Sequence, residues 1–197
     1  MGISGVDSGV GGLLGERSDV ELLTAHVAGD SYAFTTLVHR HHEHLWMTAR
    51  RTSYTPEDAA DALQEALLSA HRTAASFRAD AAVRSWLHKI VVNACLDRIR
   101  RNRSRPTVAL PDGDLFDPAD SRDPMGAVET SMEVHQALMS LAPEQRAAVV
   151  AVDMEGYSVA DAARLLGVPV GTIKSRCARG RLKLAVRLGF LRDQGNR

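Results

Sequence analysis

A chain of 197 residues, 45% hydrophobic and 24% charged, is long enough for one domain or two small ones, and its composition excludes global disorder. Basic and acidic residues balance at 24 each, so net charge alone points to no nucleic-acid partner. Two cysteines, Cys95 and Cys177, exclude a disulfide framework or a thiolate zinc centre; with no bilayer-length apolar run and no signal-peptide pattern, the expected setting is the reducing cytoplasm.

Residues 1–18 are Gly-rich and are expected to form a flexible tail. Ser18 or Asp19 then caps a helix that ends around Gly29-Asp30, and a second helix is expected from Ser31 to about Arg51. Thr55-Pro56-Glu57-Asp58 is a strong start signal: a capping hydroxyl, Pro in the first turn, then acids at the positive helix end. That helix should run to about Ser76, and a fourth from near Arg84 to Arg101 or beyond.

The stretch 104–128 differs in kind. It holds four prolines and five aspartates, which remove backbone donors and repel one another, so it is expected to be a linker rather than a helix. Beyond it, helices are expected over Glu129–Leu141, from Pro143, and from a Ser158 cap to Gly167. The final helix begins near Thr172. The expected fold is all-α: domains at 19–103 and 129–191, an acidic linker between them, and a tail at 192–197.

Segment counts remove the apparent neutrality. Residues 156–197 carry nine basic and two acidic residues, whereas residues 129–155 carry one base against five acids. SVADAARLLG, a short turn and a basic helix form a helix-turn-helix pattern. At 100° per residue, Ile173, Cys177, Gly180, Leu184 and Leu188 share an inward stripe. Lys174, Ser175, Ala178 and Arg179 fall on the opposite arc. Arg176, Lys183 and Arg187 flank the stripe on one side and Arg181 on the other, placed for phosphates.

A second basic zone, Arg98 to Arg105, closes the first domain. Phe77, Trp86 and Asn93 precede it, the residue types needed to hold an unstacked base, although single aromatics are more often core. The run HRHHEH (residues 39–44) places His39 with His42 and His41 with His44 at helical spacing, but no further ligand stands at a recognisable zinc spacing. A polar helix surface is expected there, with no metal and no cofactor. No nucleophile motif or phosphate-cradling loop marks an enzyme.

SFRADAAVRSWLHKIVVNACLDRIRR and AAVVAVDMEGYSVADAARLLGVPVGTIKSRCARGRL, in this order, resemble the extracytoplasmic-function (group IV) sigma factors of the sigma-70 family, over about residues 19–190. The resemblance implies a non-enzymatic subunit that directs core RNA polymerase to promoter DNA. It implies a sigma-2 domain at 19–103 and a sigma-4 domain at 129–191. Asp61, Gln64 and Glu65 would dock on the polymerase clamp. Phe77 and Asn93 would line a pocket for a flipped minus-10 base, with His88 beside it and Trp86 supporting strand opening. Lys89, Arg98, Arg100 and Arg101 would complete that surface. Lys174, Ser175, Ala178 and Arg179 would read the minus-35 element, assisted by Thr172, Arg176 and Arg181. The linker would thread the polymerase's RNA exit path, and a cognate anti-sigma factor is the expected regulator. Two rival readings are a dimeric helix-turn-helix regulator, which predicts palindromic half-sites, and a metal-dependent protein built on HRHHEH.

Overall fold

The structure, a computed structural model, describes residues 17–78, 82–104 and 124–194. Residues 1–16 of the expected N-terminal tail, most of the expected linker and the last three residues lie outside the described residues. Eight α-helices follow one another with no strand among the described residues: α1 Asp19–Val27, α2 Ala33–Thr52, α3 Pro56–Thr73, α4 Val83–Ser104, α5 Pro124–Met139, α6 Pro143–Val149, α7 Val159–Leu166 and α8 Val170–Gln194. A 3-10 turn, Ala74–Ser76, extends α3, and a π-helical turn, Val150–Met154, extends α6.

The starts are set by local chemistry. Ser18 and Glu21 form a reciprocal capping box at α1, and Thr55 accepts from the Asp58 amide at 3.1 Å to open α3. Ser158 does the same for the Asp161 amide at α7. Each such cap contributes about 1 kcal/mol by satisfying an otherwise orphaned donor. α5 starts at Pro124, inside the stretch expected to be linker. Proline is tolerated there because the first-turn amide has no intrahelical partner.

Helices α1–α4 enclose one core in which Leu22, Leu37, Leu45, Leu87 and Val91 are almost fully buried. Its many alanines (Ala49, Ala59, Ala62, Ala66, Ala70) allow α3 close approach to its neighbours. In the second half, Ala148, Ala162, Ala163, Ile173 and Cys177 form one cluster, and Leu138, Leu141, Val149 and Val150 a second. Gly180 belongs to that packing: a Cβ there would lie 2.7 Å from Val149 Cγ2. Both cysteines are free and buried, and burial pushes the Cys95 thiol up to about 11. Cys95 is therefore an unreactive core residue at neutral pH.

The halves also pack on each other. Val92 and Leu96 of α4 bury Ala147 of α6, with Leu166 of α7 against them. The Arg146 guanidinium lies 4.4 Å above the Tyr54 ring, a stacked cation contact that holds a fully buried arginine beside the end of α2.

Candidate nucleic-acid interface

Within α7–turn–α8, Gly167 sits at φ +65°, the left-handed conformation that closes α7 without a Cβ clash. The Thr172 amide then donates to Pro169 O at 2.9 Å as α8 starts. Ile173, Cys177 and Gly180 are buried and anchor α8 along one stripe. Lys174, Ser175, Ala178 and Arg179 are all exposed on the other side, with Thr172 and Arg176 half-buried at its margins. Ser175 Oγ donates to the Thr172 carbonyl at 3.0 Å, and Arg179 reaches Ser175 Oγ at 3.5 Å. Lys174, Arg176 and Arg179 have no ion-pair partner among the described residues. Arg181 differs: both of its contacts, 2.7 and 3.1 Å, go to Asp153, which raises the guanidinium pKa and braces α8 against the π-turn.

In the first half, Trp86, Lys89 and Asn93 recur at helical spacing along α4. Lys89 and Asn93 are exposed, while Trp86 is half-buried and meets Phe77 edge-on at 5.5 Å between ring centroids. These four side chains form a ridge of an aromatic pair, an amide and a cation.

His88 is placed elsewhere. It falls on the buried stripe with Val91, Val92 and Cys95 and is fully buried, its ring 5.0 Å from Tyr157 and 5.6 Å from His44. Direct contact between His88 and DNA requires Tyr157 to leave it. Its spacing to Val91, Val92 and Cys95, three, four and seven residues on, is the sequence signal of that burial.

The arginines closing α4 face the acids of α3. Arg98 Nε donates to Asp58 at 2.7 Å, the contact that chiefly raises its pKa, and Arg98 also pairs with Asp61. Arg101 pairs with Glu65 at 2.7 Å and Arg100 with Asp97 at 2.7 Å. Gln64 is exposed beside this seam. The Arg101–Glu65 and Arg100–Asp97 pairs are exposed and contribute about 0–1 kcal/mol each, so a partner surface can exchange them at little cost, whereas Arg98–Asp58 is half-buried.

Glu155 and Tyr157, to which the sequence assigns no individual role, tie the halves together: Glu155 accepts from Arg51 at 3.0 Å and lies 2.9 Å from His44 Nδ1, and Tyr157 covers His88.

Two unlike helical modules, the second with a helix-turn-helix whose last helix turns an exposed basic arc outward, define a DNA-binding protein of the two-module class. Residues 37–105 match the family model for sigma-70 region 2, and residues 131–184 that for sigma-70 region 4. The ECF RNA polymerase sigma factor SigM of Mycobacterium tuberculosis (strain ATCC 25618 / H37Rv) is 63% identical over 176 residues, 89% of this chain and 87% of that protein. The ECF RNA polymerase sigma-E factor of Escherichia coli K12 is 30% identical over 84% of this chain and 92% of its own. Among solved structures, the sigma factor RpoE from Bartonella quintana, in complex with the anti-sigma factor NepR, superposes with a TM-score of 0.67 at 25% identity, covering 80% of this chain and 98% of that one. The chain belongs to the extracytoplasmic-function sigma factors of the sigma-70 family. It is an alternative sigma factor directing promoter-specific transcription initiation, not an enzyme.

Proposed function

We propose that this sigma factor divides promoter reading between its halves when core RNA polymerase holds both on one DNA. Lys174, Ser175, Ala178 and Arg179 face the major groove of the minus-35 element. Arginine and lysine donate to guanine edges, serine adapts to several bases, and Ala178 offers a methyl to thymine. Thr172, Arg176 and Arg181 flank them on phosphates. The observation that carries this reading is the division of α8 into a buried Ile173–Cys177–Gly180 stripe and an opposed, exposed arc with unpaired cations among the described residues.

The ridge of α4 takes the melted minus-10 strand. Phe77 and Trp86 supply a stacking surface, Asn93 reads the edge of a captured base, and Lys89 holds backbone. Arg98, Arg100 and Arg101 serve that strand once their carboxylate partners turn to the polymerase. Asp61, Gln64 and Glu65 are the docking residues for the polymerase clamp, and residues 104–128 the acidic strap toward the RNA exit path. The domain bounds in this reading are 19–103 for sigma-2 and 129–191 for sigma-4. The site of action is the cytoplasm, where polymerase works; among the described residues no helix is long and apolar enough to cross a membrane. An anti-sigma factor is the expected inhibitor, supported by the complex in which the Bartonella relative was solved.

The test pairs one substitution from each module in reconstituted holoenzyme. Arg179→Ala should lower output only from promoters with an intact minus-35 element, by roughly five- to 150-fold, the ~1–3 kcal/mol of one lost bidentate base contact. Asn93→Ala should flatten base preference within the minus-10 element. Unchanged promoter choice in both variants overturns the assignment.

A further inference from the structure

Three side chains from separate elements converge where the halves of the molecule meet: His44 on α2, His88 on α4 and Glu155 just after the π-turn. One ligand atom from each lies within 4.8 Å of the other two. His44 Nδ1 is 2.9 Å from Glu155 Oε2. Both nitrogens of His88, a fully buried residue, lack a hydrogen-bond partner, as does the buried Nε2 of His44. A buried polar atom left unpaired costs about 1–3 kcal/mol, and buried imidazoles normally find partners. Histidine here is therefore a poor choice for packing alone.

We propose that His44, His88 and Glu155 form a binding site for one divalent cation of the zinc class, joining the two DNA-reading modules. The donor set is two imidazoles and one carboxylate, which suits zinc and leaves a fourth position for water. Neither ring nitrogen of His88 is engaged by a protein donor or acceptor, so the ring is free to turn one of them to an ion. Arg51 donates to Oε1 at 3.0 Å, with Thr48 Oγ1 at 3.5 Å from the same oxygen. Oε2 is thus directed at the histidines, the kind of outer-shell support that metal ligands require. Tetrahedral ligands at about 2.0–2.2 Å stand roughly 3.4 Å apart, so the three atoms close in by side-chain rotation. Arg84, now 3.3 Å from His44 Nδ1, is exposed and free to turn into water. The His44 side chain is 17% exposed and provides the entry path.

The site is distinct from the exposed pair His39 and His42 earlier in the same run. Because two ligands belong to the first half and one to the second, the bound ion fixes the packing that covers His88 with Tyr157. This inference concerns the isolated chain and does not rest on the promoter-reading assignments.

The experiment uses the full chain, stripped with chelator and titrated with zinc chloride against a chromophoric dye of micromolar affinity, without polymerase or DNA. One zinc per chain is expected. Glu155→Gln and His88→Gln should each weaken uptake at least tenfold, whereas the double variant His39→Ala/His42→Ala should leave it intact. Should His88→Gln fail to fold, Glu155→Gln and the spectrum of the wild-type chain with cobalt(II) carry the test. Nitrogen–oxygen coordination gives visible ligand-field bands without thiolate charge transfer, excluding Cys95 and Cys177 as ligands. Absence of stoichiometric uptake, uptake unchanged in Glu155→Gln, loss of uptake in the His39/His42 variant, or a thiolate spectrum each overturns the proposal. None of these results touches the sigma-factor assignment, which is read by transcription.

Discussion

His135 illustrates how strongly one residue's surroundings act in this molecule. Burial, with Arg50 and Arg146 nearby, pushes its pKa from 6.5 down to about 4. The unfolded chain therefore binds more protons at this group than the folded one between those two values. Its contribution is fully present above about pH 6.5 and is lost as pH falls toward 4. Thermal unfolding between pH 7 and 4.5 should show a midpoint that falls with pH, and His135→Gln should lessen that slope, with His88, also pushed down to about 4 by burial, supplying a further part. An identical slope in the variant would remove His135 as its source. Legibility at this scale was uneven. The caps at Ser18, Thr55 and Ser158 and the left-handed Gly167 were readable because their chemistry is local. Glu155 and Tyr157 were not, since their partners lie more than 60 residues away and no spacing rule links them.

Within α8, Gly180 shows how an element can be correct in outline and underdetermined in detail. The inward stripe of Ile173, Cys177 and Gly180 followed from helical periodicity, but the close approach of α6 did not. With a Cβ position 2.7 Å from Val149 Cγ2, Gly180→Leu should destabilise the second half by about 1–3 kcal/mol through overpacking. Denaturant unfolding checks this, and wild-type stability would show that α6 and α8 are not in contact as described. The α3–α4 seam is the second case. Both helices were readable, whereas the pairing of Arg98 and Arg101 with Asp58, Asp61 and Glu65 required knowing that they lie side by side. Asp61→Arg replaces an attraction to Arg98 by a repulsion. Being exposed, it should cost at most about 1 kcal/mol of fold stability, yet cut polymerase recovery in a pull-down several-fold. Normal holoenzyme yield would take Asp61 out of the docking surface. The start of α5 at Pro124 and the π-turn after α6 went unread, because the local composition of each favours another conformation.

At the level of the whole molecule, the all-α architecture and two-part organisation were legible from periodicity and from the break in composition at 104–128. The packing of the halves was not, because it depends on a few side chains such as Arg146 over Tyr54 and Leu166 against Val92 and Leu96. Zero net charge leaves no overall attraction to DNA, so in the proposed reading the electrostatic part of binding comes from local phosphate contacts of each module. Such contacts weaken steeply with salt and gain strength when a scaffold holds both on one promoter. The free chain should therefore bind promoter duplex weakly, and the same chain on core polymerase tightly and selectively. Transcription from a randomised promoter library by core polymerase, with and without the purified chain, measures this directly. Enrichment of start sites sharing one minus-35 and one minus-10 sequence, dependent on the chain, is the predicted result. Initiation with no sequence enrichment, or a chain that never joins the polymerase, would contradict it.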